Sequence, residues 1–289
     1  MQARHLFVGM LAATVIALIL FYDPKPEILL SSDVGAGIQT ETISTSTAPV
    51  VSLPPPLLRV PTILASATTS FAGSSEERTK NIIVGAERLN GSVVAVGEEF
   101  SLIAALEPLD EGYEYEYVIG PTMSVKEPGG GLCQVSTTLF RTILGAGLPV
   151  TERQPHRYVV GYYGAGLDAT IYGPHPDLRF RNDTDSPMTI HASVEGKVIK
   201  VDIEGMHDGR VASTSVPTEY DREEKPAIRY FASYELPTND VFCTEVSRDG
   251  VKTDATYSVL YPDGRLVETV FHSEYQAWPG VCYVGIGTH

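Results

Sequence analysis

The chain has 289 residues, a net charge of −15 at pH 7 and an ordinary hydrophobic fraction of 43%. Such an excess of acidic side chains argues against nucleic acid or an anionic membrane surface as a partner. The three cysteines cannot all be paired within one chain, so an oxidising compartment would leave one disulfide and one free thiol.

The N-terminal run from Leu6 to Tyr22 is uncharged and mostly apolar, and Arg4 precedes it. At about 17 residues it is near the lower limit for a membrane span. No small-x-small cleavage site follows it closely, so we expect residues 1–22 to be an uncleaved signal-anchor; a cleaved signal peptide is the competing interpretation. The prediction is a single-pass protein of the cell membrane with the bulk of the chain extracytoplasmic.

Residues 23–70 differ in composition from the rest of the chain. Between positions 31 and 69 they are rich in Ser, Thr and Pro, and no period of 2 or 3.6 residues persists. This composition is typical of a spacer. We therefore expect the segment to hold a folded domain away from the membrane.

The predicted folded domain covers residues 71–205. The Ser-Ser-Glu-Glu sequence at 74–77 offers caps and acidic residues for a helix start, and Ile82, Ala86 and Leu89 follow at helical spacing. The Asn-Gly pair that follows ends this helix. Residues 111–126, rich in Tyr and Glu, are typical of a loop.

The sequence GGGLCQVSTTLF, which begins at Gly129, is the stretch around which the domain is organised. Three consecutive glycines allow a sharp turn and a close approach to the main chain. An apolar face then predicts a helix that stops at the Gly-Ala-Gly of residues 145–147; its members are Val135, Leu139, Phe140, Ile143 and Leu144. Cys133 therefore lies at a helix N-terminus, which favours the thiolate. A small buried cysteine that fills a gap is the alternative.

Beyond this helix the pattern becomes β. Residues 158–163 and 169–172 are strand candidates, and residues 188–194 and 199–203 alternate apolar and polar side chains around a Glu-Gly turn. This alternation predicts a hairpin with one buried face. One helix at the head of antiparallel strands predicts an α+β fold in which the Cys133 helix packs on an antiparallel sheet.

Residues 206–289 are predicted to form a small β-rich C-terminal module. The polar stretch 206–224 is typical of a linker or a wide loop, and turn signals recur in the segment after it. A module of this size buries little core, so a disulfide between Cys243 and Cys282 would stabilise it and leave Cys133 free.

Three residues form the candidate catalytic set: Cys133, His156 and Asp168. On adjacent strands below the helix N-terminus, His156 and Asp168 would supply a base for the thiol and a carboxylate that fixes the tautomer of the base. The helix N-terminus would donate to an oxyanion, and the predicted substrate or oxyanion contacts are Gly130, Gly131 and Gln134. A structural histidine and a turn aspartate are the alternatives.

Three motifs resemble the VanW family: GGGLCQVSTTL at 129–139, ER-x-PH at 152–156 and G-x-DAT at 166–170. The resemblance extends upstream to NG at 90–91 and GEEFS at 97–101, and downstream to L-x-F-x-N at 178–182, so it covers roughly residues 71–195. The resemblance implies a bacterial, membrane-anchored, extracytoplasmic protein of the cell envelope, and no particular reaction. The order of thiol, imidazole and carboxylate is also similar, more loosely, to transglutaminase-like and papain-like folds, which implies a transglutaminase-like arrangement of helix and sheet.

A zinc site is the other chemical interpretation of the same three residues. No Cys-x₂-Cys or His-x₃-His pair supports such a site, so we expect neither a metal nor a cofactor.

Two functional hypotheses follow. One is a thiol-dependent amidase, peptidase or acyl-transferase that acts on peptidoglycan peptides or surface proteins. The other is a non-catalytic wall-associated binding or scaffold domain that keeps the motif for packing. The expected partners are a cell-wall peptide or surface protein, and the membrane through the N-terminal segment, but not nucleic acid. The surroundings of Cys133 distinguish the two hypotheses.

Overall fold

The structure is a computed structural model that describes residues 59–119 and 124–287. The predicted signal-anchor (1–22) and most of the predicted spacer lie outside the described residues. Within the described residues, no helix is both long and apolar enough to cross a membrane.

Strands are the predominant regular secondary structure of the described chain. The described residues contain three helices, α1 (Glu76–Leu89), α2 (Leu102–Leu106) and α3 (Leu132–Gly145). They also contain sixteen strands: β1 (Thr62–Ser70), β2 (Ser92–Val94), β3 (Glu99–Ser101), β4 (Tyr115–Ile119), β5 (Ser124–Pro128), β6 (Val150–Glu152), β7 (Arg179–Arg181), β8 (Met188–Glu195), β9 (Val198–Gly205), β10 (Val211–Thr214), β11 (Thr218–Glu223), β12 (Arg229–Pro237), β13 (Val241–Glu245), β14 (Gly250–Leu260), β15 (Leu266–Tyr275) and β16 (Val281–Gly287).

These strands form several small sheets rather than one. Their strand orders are β1-β9-β8-β2, β10-β14-β11 with β15 also on β14, β12-β16-β13, β3-β7-β6 and the hairpin β4-β5. The predicted α+β fold, with the Cys133 helix on one antiparallel sheet in a transglutaminase-like arrangement, is therefore wrong. The described chain is mainly β, and α3 lies among α1, β1, β9 and β10.

The fold prediction failed where strands lack an alternating apolar pattern. The stretch 111–126, interpreted as a loop, contains β4 and part of β5, and the polar stretch 206–224 contains β10 and β11. All six residues of β11 are exposed, so no buried face marks it as a strand. Residues 62–70, assigned by composition to the spacer, form β1, which pairs antiparallel with β9.

The predicted helix after residue 74 is confirmed as α1. The side chain of its N-cap Ser75 accepts a hydrogen bond from the backbone N–H of Arg78 at 3.1 Å, which satisfies one of the free donors at the helix start. Ile82 and Leu89 are fully buried, as the apolar spacing predicts. Gly91 follows the helix with φ +83°, a conformation that glycine adopts without strain.

The helix that carries Cys133 is also confirmed, but both its apolar and its polar sides are buried. Val135, Leu139 and Ile143 are fully buried on the predicted face. On the other side, the Thr138 hydroxyl lies 2.7 Å from that of Thr69 on β1, and the Thr142 hydroxyl donates to the Val201 carbonyl at 3.1 Å. Because these groups have hydrogen-bond partners, a helix that looks amphipathic can be enclosed.

The predicted hairpin is confirmed as β8 and β9. Their antiparallel register pairs Ile190 with Ile203 and Ala192 with Val201, so the apolar residues of both strands share one face. All four are buried, and they join the hydrophobic core around α3.

The C-terminal strands share this core. The ring of Phe271 on β15 packs edge-on against Phe140 of α3 with centroids 5.3 Å apart, and the Tyr257 hydroxyl donates to the Leu148 carbonyl at 3.1 Å. Farther along the chain, Cys243 on β13 lies opposite Cys282 on β16, and the two form a disulfide. Cys133 is a free thiol.

Candidate functional site

The glycine triplet forms the turn that delivers Cys133 to the first turn of α3. Gly129 and Gly131 have φ values of +88° and +118°, which favour glycine. Gly130 packs so closely on β4 that an added Cβ would lie 2.8 Å from the Cβ of Glu116. The buried Asn81 side chain of α1 donates to the Gly130 carbonyl at 3.0 Å and holds the turn in place.

Cys133 is the second residue of α3 and is partly exposed. Its Sγ lies 3.4 Å from the Thr170 hydroxyl and 3.5 Å from the Ile171 carbonyl oxygen. It also forms a hydrogen bond with the His156 side chain. The thiol therefore faces polar groups at a helix N-terminus, where the helix dipole stabilises negative charge.

His156 and Asp168 lie on an irregular segment, residues 153–172, which we call the site loop. The predicted strands within it are wrong: outside one isolated bridge between Gln154 and Thr170, the site loop contains no strand. Side chains of α3 satisfy its backbone instead. Arg141, for example, donates to the carbonyls of Leu167 at 3.0 Å and Tyr163 at 2.8 Å.

The imidazole of His156 is fixed by Asp168. Nδ1 lies 2.5 Å from Asp168 Oδ2, and the backbone N–H of His156 donates to the same oxygen at 2.9 Å. His156 and Asp168 are 3% and 1% exposed, so water does not compete for these bonds. With the carboxylate ionised, Nδ1–H donates to it, and Nε2 is left for the Cys133 thiol.

Two further side chains hold the other carboxylate oxygen of Asp168. Arg153 donates to Oδ1 at 3.1 Å and to the Asp168 carbonyl at 2.7 Å, and the Tyr275 hydroxyl on β15 donates to Oδ1 as well. The Arg153 guanidinium also donates to the Ser273 hydroxyl at 2.8 Å. Asp168 is thus a buried carboxylate with a counter-charge and hydrogen bonds on both oxygens, which is the condition for keeping such a charge in an interior.

The ionisation of the three residues follows from this geometry. Burial alone would raise the pKa of the Cys133 thiol, but the hydrogen bond and charge of His156 lower that pKa to about 7. Burial alone would lower the pKa of His156, but the bonds to Asp168 and Cys133 raise it to about 9. Burial alone would raise the pKa of Asp168, but His156 and then Arg153 lower it to about 2.

These directions favour a thiolate–imidazolium pair near neutral pH. Above about pH 7 the thiol has lost its proton, and below about pH 9 the imidazole keeps one. A thiolate is the nucleophilic form of cysteine, and an adjacent imidazolium can protonate a leaving group. The arrangement is therefore chemically capable of nucleophilic attack followed by proton donation.

Of the predicted substrate or oxyanion contacts Gly130, Gly131 and Gln134, Gln134 has a structural role. The Gln134 side chain is fully buried; it donates to the Ser70 carbonyl at 2.8 Å and accepts from Arg78 at 2.8 Å. The Gln134 backbone N–H donates to the Gly131 carbonyl at 2.9 Å. Gln134 is thus engaged in holding α3 to its neighbours. Any role of Gly130 or Gly131 towards a substrate stays a prediction.

Metal binding receives no support from the described residues. No group of three or more His, Cys, Asp or Glu side chains in the part of the chain that the structure describes is placed to hold a metal ion.

Comparison with known proteins identifies the domain. Residues 77–204 match the family described as "VanW like protein". The Bacillus subtilis (strain 168) "Uncharacterized protein YoaR" is 34% identical over 135 residues, which are 46% of this chain and 45% of that protein. The Enterococcus faecalis (strain ATCC 700802 / V583) "Vancomycin B-type resistance protein VanW" is 30% identical over 133 residues, which are 43% of this chain and 48% of that protein.

The chain therefore contains a VanW-like domain. It spans about half the length of these two relatives. A solved structure of an IgA1 protease G5 domain covers 29% of this chain and 100% of its own, with 12% identity and a TM-score of 0.18, which is too low to support any inference.

The VanW-like region contains the complete candidate trio, since Cys133, His156 and Asp168 all lie within residues 77–204. The sequence analysis did not identify Arg153 or Tyr275 as parts of the site. Arg153 could have been found from its place beside the Pro-His motif. Tyr275 gives no such signal, because it lies far along the chain and only the fold brings it to Asp168.

Proposed function

We propose that this VanW-like protein is a thiol enzyme of the cell envelope that transfers acyl groups, as an amidase, peptidase or acyl-transferase. Cys133 is the nucleophile, His156 carries the proton, and Asp168 orients the imidazole. The observation that supports this assignment is the position of His156. Its Nδ1 lies 2.5 Å from Asp168 Oδ2, and its side chain hydrogen-bonds to the Cys133 thiol in the first turn of α3.

The covalent steps involve Cys133, His156 and the substrate. The Cys133 thiolate attacks the carbonyl carbon of an amide, an S–C bond forms, and the C=O π pair moves onto oxygen. The tetrahedral intermediate then expels the amine, which takes the proton from the His156 imidazolium, and an S-acyl enzyme remains. Water or an acceptor amine attacks the thioester, gives its proton to His156, and releases the thiolate.

The substrate class is proposed from context. The Enterococcus faecalis relative is named as a vancomycin resistance protein, and this name supports the proposal of a cell-envelope substrate. We assign to this chain a peptidoglycan peptide or a surface protein as the acyl donor, and residues 1–22 as an anchor that leaves the domain extracytoplasmic. The enzyme requires no cofactor, since the thiol supplies the nucleophile.

The experiment that tests the proposal is the pH dependence of Cys133 alkylation by iodoacetamide in the folded protein. Because Cys243 and Cys282 form a disulfide, labelling reports on Cys133 alone. The rate should be half-maximal near pH 7, compared with about 8.5 for an ordinary cysteine. His156→Ala should move the midpoint above 8.5, because burial then acts on the thiol without a neighbouring positive charge.

Asp168→Asn and Cys133→Ala complete the test. Asp168→Asn removes the charge that raises the pKa of His156, so the alkylation midpoint should move upward. Cys133→Ala should abolish labelling, and it serves as the control for reaction elsewhere.

Incubation of the wild-type protein with peptidoglycan peptides should give a hydroxylamine-sensitive adduct on Cys133. An alkylation midpoint at or above 8.5 in the folded wild-type protein would refute the enzyme assignment.

A scaffold is the second candidate, and one observation favours it: His156 and Asp168 are only 3% and 1% exposed. In that case Cys133 should be inert over the whole pH range, and Cys133→Ala should cost about 1–2 kcal/mol through a small cavity. The alkylation profile therefore separates the two candidates.

A further inference from the structure

A thiol that attacks a carbonyl needs hydrogen-bond donors for the oxygen that becomes negatively charged. The backbone N–H of Cys133 is one, because it lies in the first turn of α3, where N–H groups have no acceptor within the helix. Gln134, one of the three predicted substrate or oxyanion contacts, is already engaged through both its backbone N–H and its side chain. Another donor close to Cys133 is therefore needed.

Tyr163 of the site loop is placed to supply it. The Tyr163 ring packs against the His156 ring with centroids 5.7 Å apart. His156 is the residue that hydrogen-bonds to the Cys133 thiol. The Tyr163 hydroxyl is buried and makes no hydrogen bond of normal geometry among the described residues, although the Tyr162 side chain is a polar neighbour. The Tyr163 ring also packs edge-on against the Tyr162 ring with centroids 4.5 Å apart, so aromatic packing holds it in place.

We infer that the Tyr163 hydroxyl is a catalytic residue that donates a hydrogen bond to the oxyanion formed when Cys133 attacks a substrate carbonyl. This inference rests on the proposed function. In the tetrahedral intermediate the carbonyl oxygen carries the negative charge, and it accepts from the Tyr163 O–H and from the Cys133 N–H. No proton is transferred to the oxyanion; an oxygen lone pair re-forms the C=O bond as the leaving group departs with the electron pair of the broken bond.

Two physical arguments support this role. A buried hydroxyl without a partner is costly in the resting protein, and a substrate oxygen beside Sγ would relieve that cost. Burial first, and then the neighbouring Tyr162 and Cys133, raise the pKa of Tyr163 well above its ordinary value. The hydroxyl therefore keeps its proton between about pH 7 and pH 9, where the thiolate–imidazolium pair exists, and it remains a donor.

The experiment compares two reactions of the same thiol. Alkylation by iodoacetamide displaces iodide at a saturated carbon and forms no oxyanion, whereas acylation by p-nitrophenyl acetate passes through a tetrahedral oxyanion and releases p-nitrophenolate. Tyr163→Phe keeps the ring that packs on His156 and removes only the hydroxyl. It should leave the alkylation rate and its midpoint near pH 7 unchanged and slow Cys133 acylation by about 10²-fold.

The matched control is Tyr172→Phe, in the same loop, because the Tyr172 hydroxyl donates to Glu127 at 3.0 Å. That variant should acylate at the wild-type rate. Equal acylation rates for Tyr163→Phe and wild type would overturn the inference and leave the proposed function intact. A parallel loss of alkylation and acylation would also overturn it, since Tyr163 would then act on the thiol through His156. Failure of the proposed function is distinguishable, because the wild-type thiol itself would be unreactive near pH 7.

Discussion

Tyr275→Phe tests how the C-terminal strands contribute to the site. The substitution keeps the ring and removes a hydroxyl that donates to Asp168 Oδ1 and accepts from the Gly166 backbone N–H at 2.7 Å. Loss of a hydrogen bond to a charged group, together with a buried N–H left without an acceptor, should cost about 2–4 kcal/mol of unfolding free energy. Urea unfolding at pH 7 measures this cost.

The pH dependence of that cost has a definite sign. The folded-state pKa of Asp168, about 2, lies below the value of about 3.9 in an unfolded chain. The ionised carboxylate therefore contributes stability above about pH 4, and this contribution is lost as the pH falls towards 2. Because Tyr275 is one of the groups that lower the pKa, the stability gap between wild type and Tyr275→Phe should be narrower near pH 3 than at pH 7.

Tyr275→Phe should change the pKa of the Cys133 thiol much less than it changes the stability of the fold. Asp168 keeps His156 and Arg153 in Tyr275→Phe, so it stays ionised at neutral pH, and the Cys133 alkylation midpoint should remain within about half a unit of 7. Phe271→Leu, an apolar change on the same strand, controls for loosening of β15. If Tyr275→Phe were as stable as wild type at pH 7, the reasoning about the Asp168 hydrogen bonds would be refuted.

Three other outcomes are expected. Gly130→Ala should destabilise the fold by about 1–3 kcal/mol, because its Cβ would meet Glu116 at 2.8 Å, while Gly161→Ala should be near neutral in the same unfolding assay. Reduction of the Cys243–Cys282 disulfide should lower the unfolding free energy by about 3–4 kcal/mol, and non-reducing peptide mapping that links either residue to the third cysteine would contradict the pairing. Mass spectrometry of the mature N-terminus should find residues 1–22 retained, and a chain that begins in the spacer would show a cleaved signal peptide.

The parts of the fold with strong local signals could be predicted from the sequence. The caps and apolar spacing of α1 and α3, and the alternation in β8 and β9, reflect burial of one face, which is visible in a single chain. The strands β1, β4 and β11 could not be found in this way. The side chains of β1 and β11 are largely exposed and show no clear apolar alternation. Whether such a segment becomes a strand depends on the partner strand with which it pairs elsewhere in the chain.

The site divides in the same manner. Cys133, His156 and Asp168 were selected by residue type and order, and the structure brings them together, but not on adjacent strands as expected. The site loop follows an irregular path because side chains, chiefly Arg141 and Arg153, satisfy its backbone carbonyls. Such side chain–backbone bonds leave no periodic trace in a sequence, so neither the loop nor its partners could be inferred beforehand.

The extent of the family match is therefore not the extent of the site. The match ends at residue 204, whereas Tyr275 and Ser273 bond to Asp168 and Arg153 from β15. Without that strand, the carboxylate would keep its bonds to His156 and Arg153 but lose a buried donor, and the ring of Phe140 would lose its contact with Phe271. A buried charge with fewer partners is costly. The C-terminal strands and the VanW-like region are thus expected to act as one unit in holding the imidazole beside the thiol.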